Sequence, residues 1–254
     1  MSYISNIRKH RPFKNQRSNI VAVIFLCFFS FLFRSTTTAA EIFPQNSNSE
    51  FIIDTFEDGN LDREPLWWQF GDIDVTISVH PSNAPSYLSK YSMKIKGNAN
   101  EWYVGGVGTF CGADLSKFNA IKFYVKGKGE HSGTLLIEMY DDDNNNWELE
   151  PHPKIPSQPL FDDRFVYTKK VDWNGWKSVT IPLSHFSDVN PNIGDNIWNP
   201  NHKNSSGGLL QIQIILIAAD KYIVPEISID TIRIIRLNEI KEEPLRAPQF
   251  QDWI

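Results

Sequence analysis

The residues of this 254-residue chain best suited to chemistry are acids alternating with an aromatic: Glu138, Tyr140 and Asp142, spaced two apart. In a β-strand that spacing places all three on one face, with Leu135, Ile137 and Met139 on the other. The segment just before it has the same habit, setting Lys122, Tyr124 and Lys126 against Ile121, Phe123 and Val125. Ala120 to Lys126 and Thr134 to Tyr140 are rich in β-branched and aromatic residues and are joined by a Gly-rich connection, which predicts an antiparallel strand pair. The wet face of that pair would offer Tyr124, Glu138, Tyr140 and Asp142 to a ligand. The same four also read as ordinary solvent-facing strand residues, since a sheet with one wet face always displays something there.

Other constellations are weaker. Glu138 and Asp142 could divide acid and base work across a glycosidic bond. Two acids four apart on one strand are commonplace, however, so the non-catalytic reading is preferred. Near the start, the short strand Phe51 to Phe56 runs into an acidic turn of Glu57, Asp58, Gly59 and Asn60, where carboxylates and exposed carbonyls together suit a hard cation. His80, His131, His152, His185 and His202 are scattered, and none has the spacing of a zinc site. The glycines at 105 to 108 open no helix, so they are not a phosphate cradle.

The elements that must position these residues begin after residue 40. Arg8, Lys9, Arg11, Lys14 and Arg17 precede an apolar run from Ile20 to Phe33 and the small-residue stretch STTTAA, the layout of a secretory signal cleaved near Ala40. The run is short of the roughly 20 apolar residues a spanning helix needs, and contact with a membrane is expected only if the segment is retained. Of the 25 Lys and Arg in the chain, six lie in residues 1–40, which hold no Asp or Glu. The remaining 19 face 30 acids, a formal charge of −11. Such a surface repels phosphate backbones and disfavours nucleic acid as a partner. Only Cys111 then remains of the two cysteines, so no internal disulfide can form, and stability must come from a core, to which a metal could add.

Residues 41–50 read as a flexible leader, 51–238 as one folded domain and 239–254 as a charged tail. Within the domain, alternating strands recur through DIDVTISVH, YSMKIKG, the two central segments, RFVYTKKV, KSVTIPL, LLQIQIILIAA and ISIDTIRIIRL. Period-2 alternation in the last of these puts Ser228, Asp230 and Ile232 on one face. Trp67, Trp68, Trp173 and Trp176 read as packing residues, Trp176 in the core. Long polar loops and almost no helical period point to an all-β, two-sheet antiparallel sandwich, most naturally a jelly roll.

FEDGN near the start, DLSKFNAIKFYVKGKG, DDDNNNW, GWKSVTIPLSHF and the closing ISIDTIRI follow one another as in carbohydrate-binding jelly rolls of the galactose-binding-like superfold. The chain most resembles carbohydrate-binding module family 11, from about Phe51 to Leu237. The motifs DLS, GW and IPL are shared with the complex I intermediate-associated protein 30 family. The first resemblance implies a calcium ion between the first acidic strand end and an aspartate of the last strand, here Glu57 and Asp230, with Asp54 or Asp58 as further candidates. Asp230 also reads as an edge-strand residue facing water. It further implies a sheet face that aligns a polysaccharide or oligosaccharide, sugar C–H faces stacking on aromatic rings while acids and amides read the hydroxyls. The matching supply here is Tyr124, Glu138, Tyr140, Asp142, Gln211 and Gln213, extended by the loop aromatics Trp102, Tyr103, Trp147 and Trp198. The reading that results is a secreted or cell-envelope, non-catalytic glycan binder. Its alternatives are an assembly scaffold with a protein partner, as the second resemblance implies, and a jelly-roll hydrolase or lyase.

Overall fold

The computed structural model describes residues 50–80, 88–98, 102–155, 158–201, 207–218, 220 and 222–238. The signal-like segment, the leader apart from Glu50, and the tail lie outside these residues, as does His202.

Among the described residues twelve strands account for the fold: β1 (Glu50–Asp54), β2 (Trp68–Gly71), β3 (Ile73–Val79), β4 (Tyr91–Gly97), β5 (Tyr103–Ala113), β6 (Ala120–Lys128), β7 (Thr134–Asp141), β8 (Asp163–Lys170), β9 (Asn174–Pro182), β10 (Ser187–Asp188), β11 (Leu209–Ile217) and β12 (Glu226–Ile235). They form two antiparallel six-stranded sheets. The first runs β3-β4-β12-β6-β9 with β1 also paired to β12, and the second runs β10-β8-β7-β11-β5-β2. This is the expected all-β jelly-roll sandwich.

Alternation fills the interior. Met93, Ile95, Ile121, Phe123, Val125, Ile227 and Ile229 from the first sheet meet Leu135, Ile137, Met139, Ile212, Ile214 and Leu216 from the second, all at most 1% exposed. One Cys111 thiol sits within this core, and burial pushes it up to about 12.

Three sequence expectations change. β6 and β7 do not pair: β6 lies between β12 and β9, while β7 lies between β11 and β8. The connection Gly129–Gly133 carries the chain from one sheet to the other. It has left-handed glycines at both ends (φ 88° and 91°), and Gly129 N–H donates to Trp173 O. The apolar faces of the two strands therefore oppose each other across the core. Alternation alone is satisfied equally by side-by-side and face-to-face partners.

The second change is in β12, where the register shifts between Asp230 and Arg233 and Thr231 adopts φ 49°. The bulge reverses the alternation, so Ile232 enters the core with Ile229 and parts company with Asp230, which stays on the outer face. A β-branched residue at positive φ is strained, and such strain persists only where its surroundings over-determine it.

The third concerns Trp176. It is half-buried outside the core, on the outer face of the first sheet, opposite Lys126 and 5.0 Å from the His80 ring.

Candidate functional site

Residues directly opposite one another on antiparallel strands share a face, so strand register lays out the outer face of the second sheet in three rows. Arg164, Tyr140, Gln211 and Phe110 form one row; Val166, Glu138, Gln213, Gly108 and Trp68 form the next; Thr168, Leu136, Ile215, Gly106 and Phe70 form the third. Glu138, Tyr140, Gln211 and Gln213 are brought together here. Tyr124 is not with them. It lies on the outer face of the first sheet, opposite Asp230 and Ser178.

The floor of this face is polar but closed. Glu138 is 4% exposed, Tyr140 1%, Gln213 7% and Gln211 9%. Tyr140 Oη donates to Glu138 Oε2 at 2.8 Å, and the Arg164 side chain hydrogen-bonds Tyr140 in turn. Burial raises Glu138 above the ordinary carboxylate range, against the opposing pull of the Arg164 charge and the Tyr140 hydroxyl. Burial likewise raises Tyr140, helped by the Glu138 charge, so its hydroxyl stays a donor. Tyr103, at the end of β5, is pushed up to about 12 by burial and then by Glu138, whose field reaches it across the face.

Aromatic rings stand around this floor. Phe110 is 42% exposed, and Trp68, Phe70 and Tyr103 are half-buried. Trp68 lies over Gly108: a Cβ there would meet three of its ring atoms at 2.5 to 2.7 Å. Phe70 covers Gly106 in the same way, 2.7 Å from such a Cβ. The glycines of β5 thus make room for two flat rings beside the glutamines. Trp102, 40% exposed, packs edge-on against Tyr103 with centroids 5.9 Å apart.

Arg164, Phe70 and Phe110 escaped the sequence reading, and Trp68, read as a packing residue, stands on this face instead. The alternation of Phe165 and Tyr167 in RFVYTKKV would have put Arg164 on the outer face, and glycines two apart around Val107 were the sign that rings cover them.

Asp142 and Trp147 belong to a different region, the acidic end of β7 and β8. Asp142 is fully buried and accepts from the backbone N–H groups of Asn146 (3.3 Å) and Trp147 (3.0 Å), so it shapes its own loop. Trp198 packs edge-on against Phe165, 5.0 Å away. At this end Asp141 pairs in register with Asp163. Burial, with repulsion from neighbouring acids, pushes Asp141 and Asp162 up to about 8, Asp163 to about 7 and Asp143 to about 6. Asp143, Asp163 and Asp195 bring ligand oxygens within 4.8 Å of one another, a set that could hold a metal ion.

Glu57 and Asp230 converge on one corner of the first sheet, just before β4. Glu57 Oε1 accepts from the backbone N–H groups of Lys90 (2.6 Å) and Tyr91 (2.9 Å). Asp230, fully buried, accepts from Ser89 N–H at 3.0 Å, Ser89 Oγ at 2.7 Å and Thr231 Oγ1 at 2.9 Å, with His80 Nε2 at 3.6 Å. Ser89 Oγ also lies 3.0 Å from Thr55 O and 2.8 Å from Tyr91 O. One hydroxyl proton serves three oxygen acceptors there, a surplus that fits a hard cation. Asp54 stands apart: Phe56 N–H and Trp67 Nε1–H occupy its two oxygens at 2.6 and 2.7 Å, and burial raises it to about 6. Asp58 accepts from Asn60 N–H in a local turn.

No family model matches the chain, and no curated protein matches it. Solved structures do. A family 11 carbohydrate-binding module from Clostridium thermocellum, in complex with a β-1,3-1,4-mixed-linked tetrasaccharide, is 19% identical over 77% of this chain and 100% of that one, with a TM-score of 0.46. The xylan-binding domain CBM22-1 of Paenibacillus barcinonensis Xyn10C is 14% identical over 76% of this chain and 99% of that one, at 0.39. An exo-β-agarase is 14% identical over 75% of this chain, at 0.50; there the match spans 26% of the agarase chain. At such identities the agarase likeness is one of fold alone.

Proposed function

We propose that this chain is an exported, non-catalytic β-sandwich that binds a glycan on the outer face of its second sheet. The observation that carries the reading is the registered array of amides, acid and phenol, Gln211, Gln213, Glu138 and Tyr140, set among the rings of Trp68, Phe70 and Phe110. A sugar offers C–H faces to aromatic rings and hydroxyls to fixed polar groups, so it matches both halves of that array. The Tyr140–Glu138–Arg164 network holds the polar half in place. The motif order of the sequence, which resembles family 11 modules, supports the same reading. Among the described residues Asp142, the acid that would divide the work of glycosidic cleavage with Glu138, is bonded instead to loop backbone, which favours binding over cleavage.

A structural calcium ion at the Ser89 corner completes the proposal. Asp230, Glu57 and the carbonyls of Thr55 and Tyr91 are the oxygens that would hold it, tying the end of β1 to β4 and β12.

Affinity electrophoresis of the full chain through gels containing soluble glucans, xylans and agarose tests the main claim. Retardation by one class, lost in Trp68→Ala and Phe110→Ala while circular dichroism is unchanged, is the expected result. A folded protein that no glycan retards would sink the reading and favour a protein-binding scaffold. Release of new chain ends from a retarding glycan would instead make it an enzyme.

A further inference from the structure

The acidic end of the second sheet is distinct from both the glycan face and the Ser89 corner. The runs Asp141–Asp143 and Asp162–Asp163 meet there because β7 ends where β8 begins, with Asp141 and Asp163 in register. Asp141, Asp142, Asp162 and Asp163 are all 0% exposed. Buried carboxylates cost free energy unless donors or cations meet them. None of the ion pairs among the described residues involves Asp141, Asp143, Asp162 or Asp163.

The donors that do reach them are backbone N–H groups, and they leave a pattern. Asn199 N–H reaches Asp141 Oδ2 at 2.6 Å, Asp163 N–H reaches Asp143 Oδ2 at 2.9 Å, Ile197 N–H reaches Asp163 Oδ2 at 3.2 Å and Asp143 N–H reaches Asp162 Oδ1 at 3.3 Å. The second oxygen of each, Asp141 Oδ1, Asp143 Oδ1, Asp163 Oδ1 and Asp162 Oδ2, is buried with no donor. Asp163 Oδ1 is aimed into the cluster: it and Asp143 Oδ2 both point at the position a Cβ on Gly194 would take. Asp195, the next residue, closes the set from the surface side, fixed by Ile197 N–H at 2.8 Å and Asn199 Nδ2–H at 2.9 Å. Opposed carboxylate oxygens held by backbone, with no proton donor between them, are what a hard divalent cation requires.

We propose that Asp143, Asp163 and Asp195 bind a calcium ion, which ties the loop after β7 and the loop after β10 to the start of β8. The chemistry selects calcium because the ligands are all oxygen, mostly carboxylate, and come from irregular loops that suit flexible coordination better than a strict octahedron. Asp141 lies behind the set, in register with Asp163.

Equilibrium dialysis of the full chain against calcium, after treatment with chelator, counts bound ions. Asp195 is exposed, so Asp195→Asn should fold as the parent does. That variant, and Asp143→Asn/Asp163→Asn, should each lose one bound calcium per chain or bind it at least tenfold more weakly. Asp230→Asn should leave this ion in place. Equal stoichiometry and affinity in the parent and Asp195→Asn, including none in either, would overturn the proposal and leave the opposed acids sharing protons.

Discussion

The two outer faces of the sandwich are made by the same alternating strands, yet they are built on opposite principles. Away from the corner where Asp230 and Tyr124 are buried, Asp74, Thr76, Lys96, Lys126, Lys128, Ser178 and Thr180 of the first sheet are exposed, and Lys94 and Lys122 are half-exposed. Long charged side chains there keep their rotamers and their water, which is all that solvation asks of a face. On the second sheet the corresponding positions hold Glu138, Tyr140, Gln211 and Gln213, each less than 10% exposed and in part bonded to one another. Their freedom has been given up in advance. Pre-organised polar groups among rings are what recognition asks for, because a ligand then has no ordering cost left to meet.

The largest expected effect tests that contrast directly. Glu138→Ala removes the acceptor of Tyr140 Oη and one of the charges facing Arg164, leaving a buried hydroxyl without its acceptor and a half-buried cation less well compensated. The cost should be about 3–5 kcal/mol in urea denaturation. Lys126→Ala on the first sheet should leave the denaturation midpoint where it was. If the two variants unfold at the same urea concentration, the second face is no more organised than the first.

A smaller effect separates binding from stability on the second face. Gly108→Ala places a methyl where Trp68 now lies, 2.5 Å from its ring, while Gly108 itself has no left-handed φ to lose. The ring must move, and glycan retention should fall about tenfold, roughly 1.4 kcal/mol, with a smaller change in stability. Retention unchanged in Gly108→Ala would remove Trp68 from the glycan face.

The sandwich and its dry faces were legible because period-2 alternation is a local property of each strand. Which strand lies beside which was not. Tyr124 and Tyr140 sit at equivalent positions of consecutive segments, and nothing in either reveals that Gly129 and Gly133 send the second into the other sheet. Glu138, Tyr140, Gln211 and Gln213 were found together because all four alternate with aliphatics that had to point inward. Arg164 was passed over because its relevance depends on a pairing across more than twenty residues of loop. The bulge at Thr231 was invisible for a different reason: Ser-Ile-Asp-Thr-Ile reads as unbroken alternation until the backbone spends one residue on a left-handed turn. The acidic runs were visible as composition within long polar loops. Their convergence exists only in three dimensions.

That convergence should set the pH dependence of the protein without metal. Asp141 and Asp162 ordinarily titrate near 3.9 but are pushed up to about 8 in the fold, and Asp163 to about 7. A folded-state pKa above the unfolded one means that the native state holds its protons longer. The contribution to stability is fully present below about pH 4 and is lost as pH rises through 7 and 8. In chelator, the melting temperature should therefore fall between pH 5 and pH 8, and excess calcium should restore more of it at pH 8 than at pH 5. A melting temperature that rises with pH in chelator would show that these acids are ionised and compensated by something other than a cation.

The smallest effect belongs to the first face and marks the lower end of the contrast. Lys128 Nζ lies 2.8 Å from Glu226 Oε1, and that hydrogen bond is the main cause lowering Glu226 below its usual range. The lysine is 59% exposed, so water and salt compete for the pair. A lowered carboxylate contributes stability above its unfolded pKa and loses it as pH falls through the folded value, so Glu226→Gln should matter only above the carboxylate range. Even there it should cost at most about 1 kcal/mol, and less in high salt. Glu138→Ala, in contrast, should keep most of its cost in high salt, because a buried network is shielded from counterions by the protein around it. Equal salt sensitivity of the two variants would mean that water reaches Glu138 as freely as it reaches Glu226.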